Sequence, residues 1–295
     1  MSPLSPTAPA IRVFAPAKIN LLLHVTGKRP DGYHLLDSLV VFAGVGDDLT
    51  LSSGDGLSLT INGPHAVGLN AEPDNLVLRA ARLLADWARR PANAAIRLTK
   101  RLPVSSGIGG GSADGAAALK GLCQLWNLAP SMQDLNAIGL QLGADLPVCL
   151  AGVPARMNGV GEMITPVPAL PPAWLVLANP CQSVSTPAVF KARQGAFSTP
   201  ADLAPFPTDF QRLVTLLSQH RNDLMEPALT LTPAIADVTT AIAAQPHCAV
   251  ARMSGSGATC WGLFPDQSSA QKAAMTLQGK HPDWWVAAAD ILPPF

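Results

Sequence analysis

Residues 103–117 read PVSSGIGGGSADGAA, with Gly107, Gly109, Gly110 and Gly111 set between a strand-like stretch, AAIRLT, and an alanine-rich helix expected to begin near Ser112. Glycines without a Cβ let the backbone approach an anion closely, and the following helix turns its unpaired N–H groups and positive dipole end to the same place. The spacing points to a phosphate cradle. It excludes a Walker A loop, because no lysine follows the glycines. It also disfavours the dinucleotide fingerprint, since the sixth position counted from Gly107 is Ser112 and from Gly109 is Asp114. Taken alone, such a run also fits a flexible connector.

Working outward, Ile11–Val25 is rich in strand formers, and GKRPDGY supplies a turn before HLLDSLVVF resumes the apolar pattern. DDLTLSS and LSLTIN read as further short strands. DNLVLRAARLLADWARR then sets Leu76, Ala80, Leu83 and Trp87 at helical spacing, with Asp74 as the expected N-cap. Beyond the glycine run, Ser131 with Asp134 reads as a capping box, and Gly143 closes that helix. Residues 152–172 are dense in Gly and Pro and mark the expected domain boundary, while residues 196–207 read as a mobile excursion. Two helical pieces broken at Pro233 follow. CAVARM, SGSGA and TCWGLF then give strand, glycine turn and strand, and a last helix leads to WWVAAADIL. Mixed strands and helices make the class α+β.

Composition narrows the function. The 295 residues are 48% apolar and 14% charged, against roughly 25% charged in typical domains, so the chain can bury a large core. Formal charge is zero, which favours a small-molecule partner over nucleic acid or an anionic membrane. Five cysteines without a CxxC pair argue against a disulfide framework or a zinc site. The N-terminal residues carry neither a basic nor an apolar leader region, and the reading is of a cytoplasmic enzyme.

Several side chains are candidates for chemistry. Lys18 and Asn20 share one face of the first strand, and Ala17, Ile19 and Leu21 the other. That polar face is either solvated or, if buried, demands a carboxylate partner for Lys18. Asp145, after a helix-ending glycine and before the apolar LPVCL, is the candidate partner, although a simple turn or cap aspartate has the same signature. Tyr33, the single tyrosine, and His34 offer a ring and an imidazole suited to a nucleobase or to hairpin packing. Ser254–Thr259 is either a tight hairpin turn or a second loop over the phosphates.

Three motifs in order, PAKINLLLHVTGKRPDGYH (Pro16–His34), LPVSSGIGGGSADGAAAL (Leu102–Leu119) and MSGSGATCWGLF (Met253–Phe264), resemble the signature of the GHMP kinase superfamily, and the similarity spans about Phe14 to Ile291. The resemblance implies a two-domain α+β fold: a disordered tail over 1–10, a ribosomal-protein-S5-like domain over 11–155, a ferredoxin-like domain over 156–295, and an active site in the cleft between the two domains. It implies ATP as phosphoryl donor with Mg²⁺. The implied acceptor is the hydroxyl of a sugar alcohol carrying a cytidine diphosphate group, in isoprenoid precursor synthesis.

By the same resemblance Pro103, Val104, Ser105, Ser106, Gly107, Ile108, Gly109, Gly110, Gly111, Ser112 and Ala113 bind the triphosphate, and Lys18 and Asp145 are the catalytic pair. Asn75 and Lys100 lie near the adenosine, Tyr33, His34 and Phe190 hold the cytosine, and Asn20 faces the acceptor. Metal ligands stay unassigned beyond the Ser112 hydroxyl as a hard oxygen contact. The chain departs from the usual family pattern with Ser105 and Ser106 in place of glycines, a change expected to stiffen the loop, and with Gly115 in place of alanine, expected to weaken its helix by roughly 1 kcal/mol.

Overall fold

The computed structural model describes residues 10–69 and 74–293. The expected N-terminal tail lies, apart from Ala10, outside the described residues. In chain order the elements are β1 (Ile11–Lys28), β2 (His34–Ser52), β3 (Leu57–Asn62), α1 (Leu76–Trp87), β4 (Ala94–Thr99), α2 (Gly110–Leu125), α3 (Met132–Leu142), α4 (Leu146–Ala151), β5 (Ala155–Gly159) and β6 (Met163–Pro166). There follow β7 (Trp174–Asn179), α5 (Thr186–Ala192), α6 (Phe210–Ser218), α7 (Met225–Leu231), α8 (Ala234–Ala243), β8 (Val250–Met253), β9 (Cys260–Phe264), α9 (Gln267–Lys280) and β10 (Trp285–Asp290). HLLDSLVVF and DDLTLSS, read as separate strands, are one continuous β2.

The chain forms two compact units that are not successive lengths of sequence. One holds residues up to 15 with 46–101 and 111–150, the other 16–45, 102–110 and everything from 151. The glycine run therefore belongs to the second unit through Gly110 and to the first from Gly111.

In the first unit β3 runs parallel to β4, from Leu57↔Ala94 to Asn62↔Thr99, and β4 pairs antiparallel with the Asp48–Ser52 end of β2. α1 buries Val77, Leu78, Ala80, Ala81, Leu84 and Ala85, while Trp87 is exposed. The apolar stripe is thus rotated from the expected Leu76, Ala80, Leu83 and Trp87. The helix also begins one residue later than expected: Asn75, not Asp74, is the N-cap, its side-chain oxygen accepting from the Val77 N–H at 2.9 Å. The capping box of Ser131 with Asp134 and the Gly143 stop of α3 are present as expected.

The second unit contains a four-stranded antiparallel sheet in the order β10-β7-β9-β8. α5 to α8 connect β7 to β8, and α9 connects β9 to β10. This β-α-β-β-α-β arrangement is ferredoxin-like. α8 and α9 cover it with Ile235, Val238, Ile242, Ala273 and Leu277, packed with Val176 and Ala178. A second cluster joins Ile19 and Leu21 of β1 to Leu175, Leu177, Trp261 and Leu263. Both faces of β1 are buried, since Lys18 is 3% and Asn20 1% exposed, so the solvated alternative for its polar face is excluded. The Gly/Pro-rich stretch at 152–172 builds the β5–β6 hairpin, with β5 antiparallel to the Leu36–Val40 half of β2.

Residues 196–207 carry no regular secondary structure, yet they are pinned rather than loose. The Ser198 N–H donates to the Val25 carbonyl, the Ser198 hydroxyl to Asp223, and the Ala201 N–H to Asp37. Asp37, buried, also receives a two-pronged bond from Arg156 at 2.7 and 2.8 Å, and Arg156 reaches the Ala201 carbonyl. Composition alone signalled mobility here because the anchors lie far away in sequence. Among the described residues no helix is long and apolar enough to cross a membrane.

Candidate functional site: a glycine loop braced by a lysine strand

Within the second unit the loop is set by backbone conformations that side chains resist. Gly107 and Gly109 take φ of +74° and +64°. Ser105 shares this left-handed region at +52°, at a cost of about 1–2 kcal/mol. Ser106 is buried and its hydroxyl donates to the Pro103 carbonyl at 2.6 Å, an extra tie in keeping with a stiffer loop.

The turn after β8 packs against this loop backbone to backbone. A Cβ on Gly107 would lie 2.6 Å from the Ser254 carbonyl oxygen and 2.7 Å from the Gly257 nitrogen and oxygen. One on Gly255 would lie 2.6 Å from the Gly107 oxygen. The Ser254 hydroxyl donates to the Gly107 carbonyl, and the Thr259 N–H to that of Ser106. Asn222 fixes the turn from behind, donating to the Met253 and Gly255 carbonyls at 2.9 and 2.8 Å. SGSGA is therefore both the hairpin turn and a second loop closed onto the first.

β1 meets the same place. The Lys18 N–H donates to the Ile108 carbonyl at 3.0 Å, and the Lys18 side chain runs past Gly109, whose added Cβ would lie 3.2 Å from the lysine Cβ and 3.3 Å from its Cε. Two residues on, the Asn20 N–H donates to the Ser254 hydroxyl, and the Trp261 ring N–H to the Asn20 carbonyl. The Asn20 amide donates to the Ser38 hydroxyl at 2.8 Å, while its Oδ1 is buried with no partner. Lys18, Asn20 and the loop through Gly109 are thus assembled in one unit.

Of the nucleobase candidates, His34 and Phe190 are brought together, rings stacked at 5.0 Å and 21° apart. That spacing is direct contact, with no room for a third ring between the two. Tyr33, next to His34 in sequence, is 65% exposed. Burial, then the charges of Lys28 and Arg193, hold the His34 imidazole below its ordinary value.

α2 begins at Gly110, two residues before the expected start, and from Gly111 on it belongs to the first unit, where Ser112 in its first turn is half-buried. Gly115 has a packing reason: a Cβ there would lie 3.0 Å from Leu146, and one on Gly139 would lie 2.9 Å from the same side chain. Leu146, directly after Asp145, is gripped between these glycines, and this fixes where the half-buried Asp145 stands ahead of α4. Asn75 spends its side-chain oxygen on capping α1. Lys100 is 4% exposed and its ammonium bonds two buried carboxylates, Asp47 at 2.6 Å and Asp114 at 2.7 Å.

A family profile for the GHMP kinases N terminal domain matches residues 75–153, and one for the GHMP kinases C terminal matches 205–282. A curated protein of Paramagnetospirillum magneticum, 4-diphosphocytidyl-2-C-methyl-D-erythritol kinase, is 56% identical over 94% of this chain and 97% of its own. The chain belongs to the GHMP kinase family. A protein of the same name from Rhodospirillum rubrum is 50% identical over 99% of this chain and 96% of its own. A crystal structure of 4-(cytidine 5'-diphospho)-2C-methyl-D-erythritol kinase superposes with a TM-score of 0.78 at 31% identity, covering 95% of this chain and 99% of that one. Homoserine kinase from Cytophaga hutchinsonii, at 19% identity and a TM-score of 0.73 over 99% of this chain and 97% of its own, shares the fold. GHMP kinases take their phosphoryl group from ATP, and this GHMP kinase is an ATP-dependent phosphotransferase.

The Lys100 triad of this GHMP kinase escaped the sequence reading, because Asp47, Lys100 and Asp114 come from three separate segments without a shared motif. One ammonium serves two carboxylates. Burial works against the Lys100 charge, but Asp114 and Asp47 outweigh it and hold the lysine above its ordinary value. Burial pushes the Asp114 carboxyl up to about 7, with Lys100 opposing and the Asp47 charge adding to the rise. Folded protein therefore keeps a proton that the unfolded chain loses near pH 4. The stability this proton contributes is complete below about pH 4 and is lost as pH rises through about 7, at up to about 1.4 kcal/mol per unit. Urea unfolding from pH 4 to 8 is expected to show this decline in the wild type relative to Asp114→Asn, and parallel profiles would contradict it.

Proposed function

We propose that this chain transfers the γ-phosphoryl group of ATP to the 2-hydroxyl of 4-diphosphocytidyl-2-C-methyl-D-erythritol, in the non-mevalonate route to isoprenoid precursors. The observation that carries the reading is the buried Lys18, tied by its main chain to Ile108 and laid across Gly109 of the phosphate loop. The names of relatives 50–56% identical over nearly the whole chain support the acceptor.

In a loose phosphoryl-transfer transition state little charge builds on the attacking oxygen, so its proton can leave late. Asp145 orients the acceptor hydroxyl and takes that proton, and Lys18 offsets charge on the transferring group. Loop residues 103–113 hold the triphosphate by their main chain, already fixed by the turn at Ser254–Gly257, so little reorganisation is needed. The buried, unpartnered Asn20 Oδ1 accepts a hydrogen bond from the sugar alcohol. Tyr33, His34 and Phe190 recognise the cytosine. Asn75 and Lys100 lie near the adenosine, the Lys100 ammonium being already committed to Asp47 and Asp114.

Mg²⁺, bound with the triphosphate, would neutralise part of its charge. The half-buried Ser112 hydroxyl is the hard oxygen of the loop that would contact the cation. The reaction is placed in the cytoplasm, and the profile matches at 75–153 and 205–282 support 11–155 and 156–295 as nucleotide-binding and second family domains, a division along the sequence distinct from the two compact units.

The test is ADP release from purified protein with Mg-ATP and either the cytidylated sugar alcohol or the same sugar alcohol phosphate without cytidine. Strong turnover with the cytidylated compound alone is expected. Equal turnover would remove the base-recognition role of Tyr33, His34 and Phe190, and turnover only with homoserine or mevalonate would replace the acceptor.

A further inference from the structure

In the second unit a cavity of about 1040 Å³ is lined by Arg193, Arg221, Asn222, Glu226 and Arg252 among others. Its three guanidinium groups differ in how they are held. Arg221 pairs with Asp223 at 2.6 Å, which cancels its charge. Arg252 is committed to the carbonyls of Leu21, Leu217 and His220 at 2.7–2.8 Å. Arg193 donates only to the carbonyls of Gly195 and Ala196, lies 4.9 Å over the Phe197 ring, and pairs with no carboxylate among the described residues. Its Nε is buried without a partner.

This guanidinium is therefore a fixed, uncompensated cation with a donor to spare. It stands at the end of α5, three residues after Phe190, and its charge and that of exposed Lys28 reach the His34 imidazole stacked on Phe190. A planar fork held next to a base-recognition pair matches phosphate oxygens that follow a nucleobase in a nucleotide.

We propose that Arg193 binds the diphosphate of the cytidylated acceptor, beside the base held at His34 and Phe190. The inference rests on the base-recognition reading above. Nothing in the family motifs quoted from the sequence singles out residue 193, and its role follows from its partners alone.

Calorimetric titration of the full chain with cytidine and with cytidine diphosphate, without ATP, separates the two ideas. Wild type is expected to bind the diphosphate at least about tenfold more tightly than cytidine, as a charge-assisted contact would give. Arg193→Gln loses about tenfold for the diphosphate and stays within about twofold for cytidine, Arg193→Lys recovers part of the loss, and in turnover the acceptor KM rises with kcat kept. Arg193→Gln binding the diphosphate like wild type overturns the inference and spares the base reading. Loss of cytidine binding in the same variant also overturns it, assigning Arg193 to holding its own loop. Wild type that binds neither compound removes the base reading and this inference together.

Discussion

Asp145→Asn is expected to bind ATP within about twofold of wild type and to lose at least about a hundredfold in kcat, the scale of a positioned proton acceptor. Asparagine keeps the shape and can still orient a hydroxyl, but it cannot take the proton. Leu146, seated between Gly115 and Gly139, keeps its packing in this variant, so the fold is expected to be retained. Turnover of Asp145→Asn at wild-type rate would remove Asp145 from the mechanism. Lys18→Met is expected to lose kcat on a similar scale, but with some loss of stability, since its side chain is buried.

Gly107→Ala is expected to destabilise the protein by at least about 3 kcal/mol, read from the urea midpoint. Two costs add at that position: a left-handed φ of +74°, and main-chain atoms of Ser254 and Gly257 within 2.7 Å of the new methyl group. Main chain cannot rotate away, so the two glycine loops must separate. Gly109→Ala provides the contrast. Its φ of +64° costs about 1–2 kcal/mol, but its neighbours are the Lys18 Cβ and Cε at 3.2 and 3.3 Å and not main chain within 2.7 Å, so the variant folds with a smaller loss and shows its damage in kcat. Equal stability of Gly107→Ala and wild type would contradict the described packing of the loops.

What the residues alone made legible was local. The glycine run, the hairpin around SGSGA and the capping box of α3 each carry their physics within a few positions, and each is found where the residues put it. Long-range order was not legible. The stretch at 196–207 is dense in small residues and proline, yet Asp37 and Asp223 hold it from far along the chain. Asp47, Lys100 and Asp114 meet as a buried triad although none sits in a pattern that demands the others. The compact units divide β1 and β2 internally, which no composition shift along those strands announces.

The site was legible in the same proportion. Lys18 against the loop follows from alternation on β1 once burial is known, and an exposure of 3% decides between a surface lysine and a buried one. Lys100 shows the opposite case. Its motif position suggests a nucleotide contact, but two buried carboxylates at 2.6 and 2.7 Å already occupy its ammonium. Arg193 carries no sequence signal, and only its lack of a carboxylate partner distinguishes it.

The most direct test of the central claim is phosphorus NMR of the protein with Mg-ATP and 4-diphosphocytidyl-2-C-methyl-D-erythritol. One new phosphomonoester on the 2-position, formed in step with ADP while the cytidine diphosphate linkage stays intact, is the predicted result. Release of inorganic phosphate with no new ester, or an unchanged acceptor while ATP is consumed, would contradict it.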